Sequence, residues 1–421
     1  MANERLQAVL SQLKPATGGQ SAVDKLTQKN PDDIVITLAL RTPMAKGFKG
    51  GFKDTDLDYL VCQLLKEVMA QSKLDPNLID DVVLGNANNA KASTICRTAA
   101  LAVGIPYTSG AAAISRFCSS GLMSIQSVAY EIAQGAIEVG IALGAESMTK
   151  GPDRTPQPFH PEIMKHSDAA DCMQPMGQTS ENVGDDFGIT REMQDQYAVE
   201  SFRRAEVAQK AGWFEDEIVP IRTTVKGGKD GKGPHTEIVV TKDEGPRYGT
   251  TIESLRKVRP AFPQFGNKTT GGNASQITDG AAAVILMKRS KAIELGQPIL
   301  AKFVGATVAG VPPRIMGIGP AMAIPKLLSM YNLRKEDIDI FEINEAFASM
   351  AVYCIDKLGL DHEKVNPRGG AIALGHPLGC TGTRQVCTIL SEARRTKKKV
   401  LVTSMCVGTG QGMAGLFINE Q

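Results

Sequence analysis

Apolar positions in this chain recur at two spacings. Short, nearly continuous apolar runs at 33–43 (DIVITLALRTP), 81–86 (DVVLGN), 138–147 (EVGIALGAES) and 299–310 (ILAKFVGATVAG) fit buried strands. Between them lie stretches with apolar residues every three or four positions, LDYLVCQLLKEVMAQS at 57–72 and AMAIPKLLSMY at 321–331, which fit helices packed by one face. Strands alternating with helices imply a mixed or parallel sheet with helices on its faces.

The pattern occurs twice. KLDPNLIDDVVLGNAN (73–88) and NLRKEDIDIFEINEAF (332–347) each follow a helix and run through an acidic turn into an apolar strand that ends at an asparagine, Asn86 or Asn344. CSSGLMSIQSVAYEIAQGAIEVGIALGAES (118–147) and HPLGCTGTRQVCTILSEARRTKKKVLVTSMCVG (376–408) share a second layout of turn, helix and strand. Aligned on their first residues, they put Cys118 and His376 at equivalent positions, each with a glycine three residues on, Gly121 and Gly379. Two such halves packed together predict an α/β protein in five layers, α/β/α/β/α, with pseudo-twofold symmetry. The N-terminal half is expected over 34–292 and the C-terminal half over 293–421. Residues 151 to about 245 differ in character, with PDRTPQPFHP, the helical TREMQDQYAVESFRRAEVAQKAG and the glycine-rich TTVKGGKDGKGPHTE, and read as an inserted, mobile, partly basic loop domain. Residues 1–33 are left as a leading segment and a polar linker, the linker at 14–32.

Composition narrows the function. A formal net charge of +2 excludes the basic excess of a nucleic-acid binder. No apolar run reaches the roughly 18 residues that span a bilayer, and no secretory leader is expected. The eight cysteines, at 62, 96, 118, 172, 354, 380, 387 and 406, form no CxxC pair, and the five histidines do not fall at zinc-ligand spacings. The thiols are therefore expected to be free, in a reducing compartment, with no metal bound. Forty-two glycines against 5% aromatic residues favour tight turns and close backbone approaches.

Four positions then carry candidate chemistry. Cys118, at the start of a helix, would feel the positive end of the helix dipole and free N–H groups, which lower a thiol pKa. A buried structural thiol is the alternative, and for Cys118 alone the more common one. His376, at the matching place in the second half, would take the thiol proton. Cys406 follows the apolar KVLVTS and heads a run of glycines at 408, 410 and 412, which suits a proton donor beside backbone N–H groups; a small residue filling a tight turn fits equally well. Asn344, opening NEAFA, could hold a water or donate to an enolate oxygen, or could simply form a turn.

Taken together, CSSGL, GAESM, GNAS, NEAFA, GGAIALGHPLGCTG and CVGTGQG, in this order, resemble the thiolase family, from about residue 34 to the C-terminus. Within it, VNPRGGAIALGHPLGCTG and the serine-rich CSSGL look most like the peroxisomal, degradative branch. The resemblance implies a Cys118 nucleophile, with His376 activating it and, through a water on Asn344, stabilising a thioester enolate. It implies Cys406 as second acid/base, the backbone N–H groups of Cys118 and Gly408 as an oxyanion hole, and Ser275 along the pantetheine arm. The implied reaction is ping-pong thiolysis of a 3-oxoacyl-CoA by CoA, giving acetyl-CoA and a shortened acyl-CoA. CoA is then a cosubstrate, no other cofactor is needed, and a homodimer is expected. Residues 5–13, RLQAVLSQL, fit an amphipathic helix and also resemble an N-terminal address read by a peroxisomal import receptor. Three departures bear on substrate shape and loop detail: SRFC where NRQC is more usual, TTGGNAS for TAGNAS, and NANNAKAST ahead of CRTAAL. A biosynthetic acetoacetyl-CoA thiolase is the alternative. A ketoacyl synthase would pair its cysteine with two histidines, or with His and Asn, and a non-catalytic lipid carrier would not need all four positions filled.

Overall fold

The apolar runs become strands whose order repeats between the halves. The computed structural model describes residues 21–151, 159–227 and 233–421. Its first half contributes β1 (Ile34–Arg41), β2 (Ala45–Lys46), β3 (Asp81–Gly85), β4 (Gly110–Ile114), β5 (Val139–Ser147), a hairpin of β6 (Ile221–Gly227) and β7 (Gly233–Val240), and β8 (Thr278–Lys288). The second half contributes β9 (Ala301–Gly310), β10 (Ile340–Ile343), β11 (Val400–Val407) and β12 (Gln411–Asn419). Strands pair as β4-β3-β5-β8-β1 in one half and β10-β11-β12-β9 in the other. The pairing directions match as well: β3 runs parallel to β5 as β10 does to β11, and β5 antiparallel to β8 as β11 does to β12. Phe341 and Val365 form a parallel bridge where β4 pairs with β3 in the first half. Among the described residues, the two sheets are joined through β1 and β9, at Val35↔Lys302 and Ile36↔Ala301.

The longer helices are α1 (Leu57–Ser72), α2 (Ala92–Ala102), α3 (Ser120–Ala133), α4 (Met176–Asp186), α5 (Arg191–Lys210), α6 (Gly319–Met330), α7 (Ala348–Leu358) and α8 (Thr381–Thr396). They divide the apolar core into three slabs. Leu60, Leu64 and Val68 of α1 and Cys96 and Ala100 of α2 cover the outer face of the first sheet, on Val82, Ile141 and Ile285. Leu122, Ile125 and Val128 of α3 and Val386 and Ile389 of α8 lie between the sheets, against Val83, Val284, Leu401 and Met413. Ile324, Leu327 and Ile355 of α6 and α7 cover the outer face of the second sheet, on Phe341, Val402 and Leu416. The expected α/β/α/β/α layering follows, with α3 and α8 as its middle.

That middle layer sets the position of the candidate site. Helix α8 is buried from Thr381 through Ala393 although its sequence is half polar, because its charges meet partners from other elements. Arg384 Nη1 bonds Glu342 Oε2 (3.2 Å), and Glu392 Oε2 accepts from Arg368 Nε (2.7 Å). Arg368 and Arg41 also share Glu217, and Arg41 is paired to Asp243 at 2.7 Å. The two helices touch at glycines. A Cβ on Gly121 would lie 2.7 Å from the Gly379 carbonyl oxygen, and one on Gly382 would lie 2.3 Å from the Leu122 nitrogen. No other residue permits that approach.

The contact corrects one expectation. Helices α3 and α8 begin at Ser120 and Thr381, each after a 3-10 turn, Phe117–Ser119 and Leu378–Cys380. Element for element, Cys118 therefore corresponds to Gly379, and Gly121 to Gly382. His376 stands three residues upstream of the place that matches Cys118. Glycine recurs at three-residue intervals in HPLGCTG, so the spacing alone fits both alignments.

A second correction concerns the linker. Ala22–Thr27 is a short helix with a capping box between Ser21 and Asp24, and Ala22, Val23 and Leu26 pack on the outer core of the second half. The RLQAVLSQL motif at 5–13 lies outside the described residues. After β5 the chain leaves the sheet and returns at β8. In between, α5 lays Ala198, Phe202, Ala205 and Ala208 on Ala348 and Ile372–Leu374 of the second half.

Candidate active site

Cys118 sits in the turn ahead of α3, 8% exposed. Two backbone N–H groups act on its sulfur, those of Gly408 and of Cys118 itself. Gly408 follows β11 directly, so strand β11 of one half delivers an amide to the thiol of the other. Cys406 lies within the same strand, fully buried, and its thiol is pushed well up, first by burial and then by the neighbouring Cys118. Its S–H contacts Met350 Sδ at 3.9 Å. The two cysteines and Gly408 thus form one group.

His376 and Asn344 form a second. The Asn344 amide nitrogen lies 3.4 Å from His376 Nε2 and 3.5 Å from Nδ1. Asn344 is held at the end of β10 by its own N–H donating to Ser404 O (2.8 Å), and its side-chain Oδ1 is buried without a protein partner. The Thr381 hydroxyl oxygen is 2.6 Å from His376 Nδ1 and donates its own hydrogen to Pro377 O at 3.4 Å. We assign Nδ1–H as the donor to Thr381 and the lone pair to Nε2, which the Asn344 amide nitrogen faces at 3.4 Å. The turn that carries Cys118, Phe117–Ser119, packs against the Leu378–Cys380 turn that follows His376, at the glycine crossing.

Glu146 braces this junction. Its Oε2 accepts from the N–H groups of Ala87 (2.8 Å) and Gly379 (3.0 Å), and Oε1 from Asn86 Nδ2 (3.1 Å). Glu345 does the same on the other side, accepting from Tyr197, Ser201, Asn366 and the N–H of Ile372. Sequence reasoning did not single out Glu146, Glu345 or Thr381, although each lies inside a quoted motif; a buried carboxylate in an apolar run was the available signal. Ser275 is half-buried, and its N–H bonds Ala346 O at 3.0 Å, next to NEAFA rather than on either cysteine.

The ionisation expected of Cys118 needs correcting. Burial is the largest influence and pushes the thiol up to about 11, with Glu146 adding to the rise; the Gly408 and Cys118 N–H groups only moderate it. The same burial, with the Arg384 charge, lowers His376 to about 3. A turn packed between two sheets desolvates a thiolate more than one helix end stabilises it. Burial thus favours the uncharged forms of both thiols and of the imidazole.

Comparison with known proteins agrees with this layout. Residues 34–290 match the thiolase N-terminal domain and residues 297–419 the thiolase C-terminal domain. The chain belongs to the thiolase family. It is 51% identical to the peroxisomal 3-ketoacyl-CoA thiolase of Yarrowia lipolytica, over 99% of this chain and all of that protein. It is 47% identical to the peroxisomal enzyme of Homo sapiens, over 98% and 99%. Among solved structures, the dimeric peroxisomal thiolase of Saccharomyces cerevisiae superposes with a TM-score of 0.87 at 48% identity, covering 94% of this chain and all of that one. Human mitochondrial 3-ketoacyl-CoA thiolase gives 0.82 at 35%, covering 92% and 99%. Within this thiolase, Met316, Ala346, Phe347, Met350 and Cys406, flanked by Phe262 and Ala274, form one apolar cluster. Among the described residues, no cluster of His, Cys, Asp and Glu could hold a metal, and no helix is long and apolar enough to cross a membrane.

Proposed function

We propose that this chain is a peroxisomal 3-ketoacyl-CoA thiolase, cleaving a 3-oxoacyl-CoA with CoA to acetyl-CoA and an acyl-CoA two carbons shorter. The observation that carries the reading is the meeting of two buried thiols with the N–H groups of Cys118 and Gly408, in a chain that matches the family over 34–290 and 297–419.

Cys118 passes its proton to His376 Nε2 as its sulfur bonds C3 of the substrate. The N–H groups of Cys118 and Gly408 stabilise the resulting alkoxide, a contact of on the order of 3 kcal/mol each. As the carbonyl re-forms, the C2–C3 bond breaks and its electron pair enters the thioester as an enolate. His376, now protonated, and a water on Asn344 hold the enolate oxygen; the unpartnered Oδ1 of Asn344 supports that water. Cys406 gives its proton to C2, and acetyl-CoA leaves. CoA then donates its thiol proton to the Cys406 thiolate and attacks the acyl thioester, and Cys118 departs as thiolate and regains its proton from His376. Thr381 is a positioning residue that fixes the tautomer of His376, while Ser275 faces the pantetheine arm.

Direction is not a property of the site, so acetoacetyl-CoA synthesis is the same chemistry reversed. Dimerisation is supported by the unpaired outer edge of β4, whose Gly110–Ile114 run has no charge to block pairing, and by the dimeric yeast relative. Import by a receptor that reads residues 5–13 completes the reading. The test is release of acetyl-CoA from 3-oxoacyl-CoA and CoA, with the acyl group recovered on the Cys118 peptide by mass spectrometry. Thiolysis by a Cys118→Ala variant at the wild-type rate would reject the assignment.

A further inference from the structure

Phe117, the neighbour of Cys118 on the chain, has φ = 46°. A bulky residue seldom adopts that region, and such strain persists where function holds it. Core packing does not explain it, because the ring is 43% exposed. Phe117 Cγ lies 3.9 Å, and Met176 Sδ 4.0 Å, from the point where a Cβ on Gly408 would stand. Two apolar side chains from separate elements therefore overhang the amide that faces the nucleophile. Met176, at the start of α4, is 37% exposed, and its neighbour Gly177 packs flat on the Phe262 ring. Phe262 meets Phe347 edge-on at 6.4 Å, and Phe347 belongs to the cluster around Cys406. Met176, Gly177, Phe262 and Phe347 thus lead in steps from the Gly408 amide under Phe117 to the cluster around the second thiol.

We propose that Phe117, with Met176 opposite, is the specificity-determining wall of the acyl site, favouring long straight 3-oxoacyl chains over acetoacetyl. The inference rests on the thiolase reading above. With only a methyl beyond C3, acetoacetyl-CoA leaves the ring in water, whereas a long chain covers it and gains the transfer free energy of that contact.

The test uses the full chain and reads the ratio of kcat/KM for 3-oxohexadecanoyl-CoA over acetoacetyl-CoA. Phe117→Asn keeps a residue that tolerates positive φ while removing the ring, and the ratio should fall by about tenfold. Phe117→Leu, still apolar, should retain most of the preference. Should Phe117→Asn not fold, Met176→Ala on α4 gives the same readout, with a smaller fall. An unchanged ratio in active enzyme overturns the inference alone. Equal losses on both substrates also overturn it, since Phe117 would then only place Cys118. A wild-type chain inert to both substrates would instead remove the thiolase reading, and this inference with it.

Discussion

Replacing Thr381 by valine removes one hydroxyl and little volume, so it isolates the hydrogen bond to His376 Nδ1. That bond is 2.6 Å long and buried at the first residue of α8. While the imidazole is neutral, such a bond contributes about 1 kcal/mol; once Nε2 has accepted a proton it becomes charge-assisted and contributes about 1.5–3 kcal/mol. The difference, about 0.5–2 kcal/mol, applies only after proton transfer, and should appear as a fall in kcat of roughly 2- to 30-fold with little change in KM. Without the hydroxyl, Nδ1–H has no partner and the Nε2–H tautomer becomes competitive, which removes the base. Steady-state kinetics of thiolysis for Thr381→Val, with Thr381→Ser as the hydroxyl-restoring control, measure this. A kcat for the valine variant within twofold of wild type would refute the tautomer argument. A serine variant as slow as valine would too, because the loss would then come from packing.

Three further outcomes follow from the same geometry. Cys118→Ala should abolish the acyl-enzyme seen by mass spectrometry while leaving the thermal midpoint within a few degrees, since it removes one sulfur and no disulfide; unfolding of this variant would contradict that. Gly121→Ala should destabilise the chain by about 1–3 kcal/mol in urea titration and lower kcat more than tenfold, because its Cβ would press 2.7 Å from the Gly379 carbonyl and part the two turns; a stable, active variant would mean that the crossing is loose. Glu342, raised to about 8 by burial against the attraction of Arg384, gives a signed pH test. Its folded pKa lies above the unfolded value of 4.5, so its contribution is fully present below pH 4.5 and lost as pH rises through 8, by about 5 kcal/mol at most. Glu342→Gln should therefore gain stability relative to wild type between those pH values, and a difference independent of pH would show that Glu342 stays ionised throughout.

Much of this architecture was readable from local pattern. The strand and helix alternation, the doubled layout and the ends of β3 and β10 at Asn86 and Asn344 all depend on short-range periodicity, which burial on both sheet faces preserves. What escaped depends on distant partners. Helix α8 reads as half polar, and Glu342 and Arg368, distant along the chain, meet the Arg384 and Glu392 charges that it buries. The three-residue offset between Cys118 and His376 escaped because GHPLGCTG offers glycines in two registers, and only the helix crossing selects Gly382. Ala22–Thr27 was passed over because six residues are too few to show a period.

The ionisation of Cys118 was the deepest of these misses, and it alters how the site has to work. A helix end visible in sequence argues for a low thiol pKa, but the turn lies between two sheets, and burial overrides the dipole. A thiol near 11 beside an imidazole near 3 cannot ionise alone at neutral pH. In the proposed mechanism charge appears as a pair, thiolate with imidazolium, as substrate brings a carbonyl to the Gly408 and Cys118 amides. An uncharged resting site also protects the chemistry. A permanent thiolate next to Cys406 would be open to oxidation. Burial that looks unfavourable for each group separately thus couples proton transfer to bond making, and the amides that fail to lower the thiol pKa at rest are placed for the oxyanion that forms next to it.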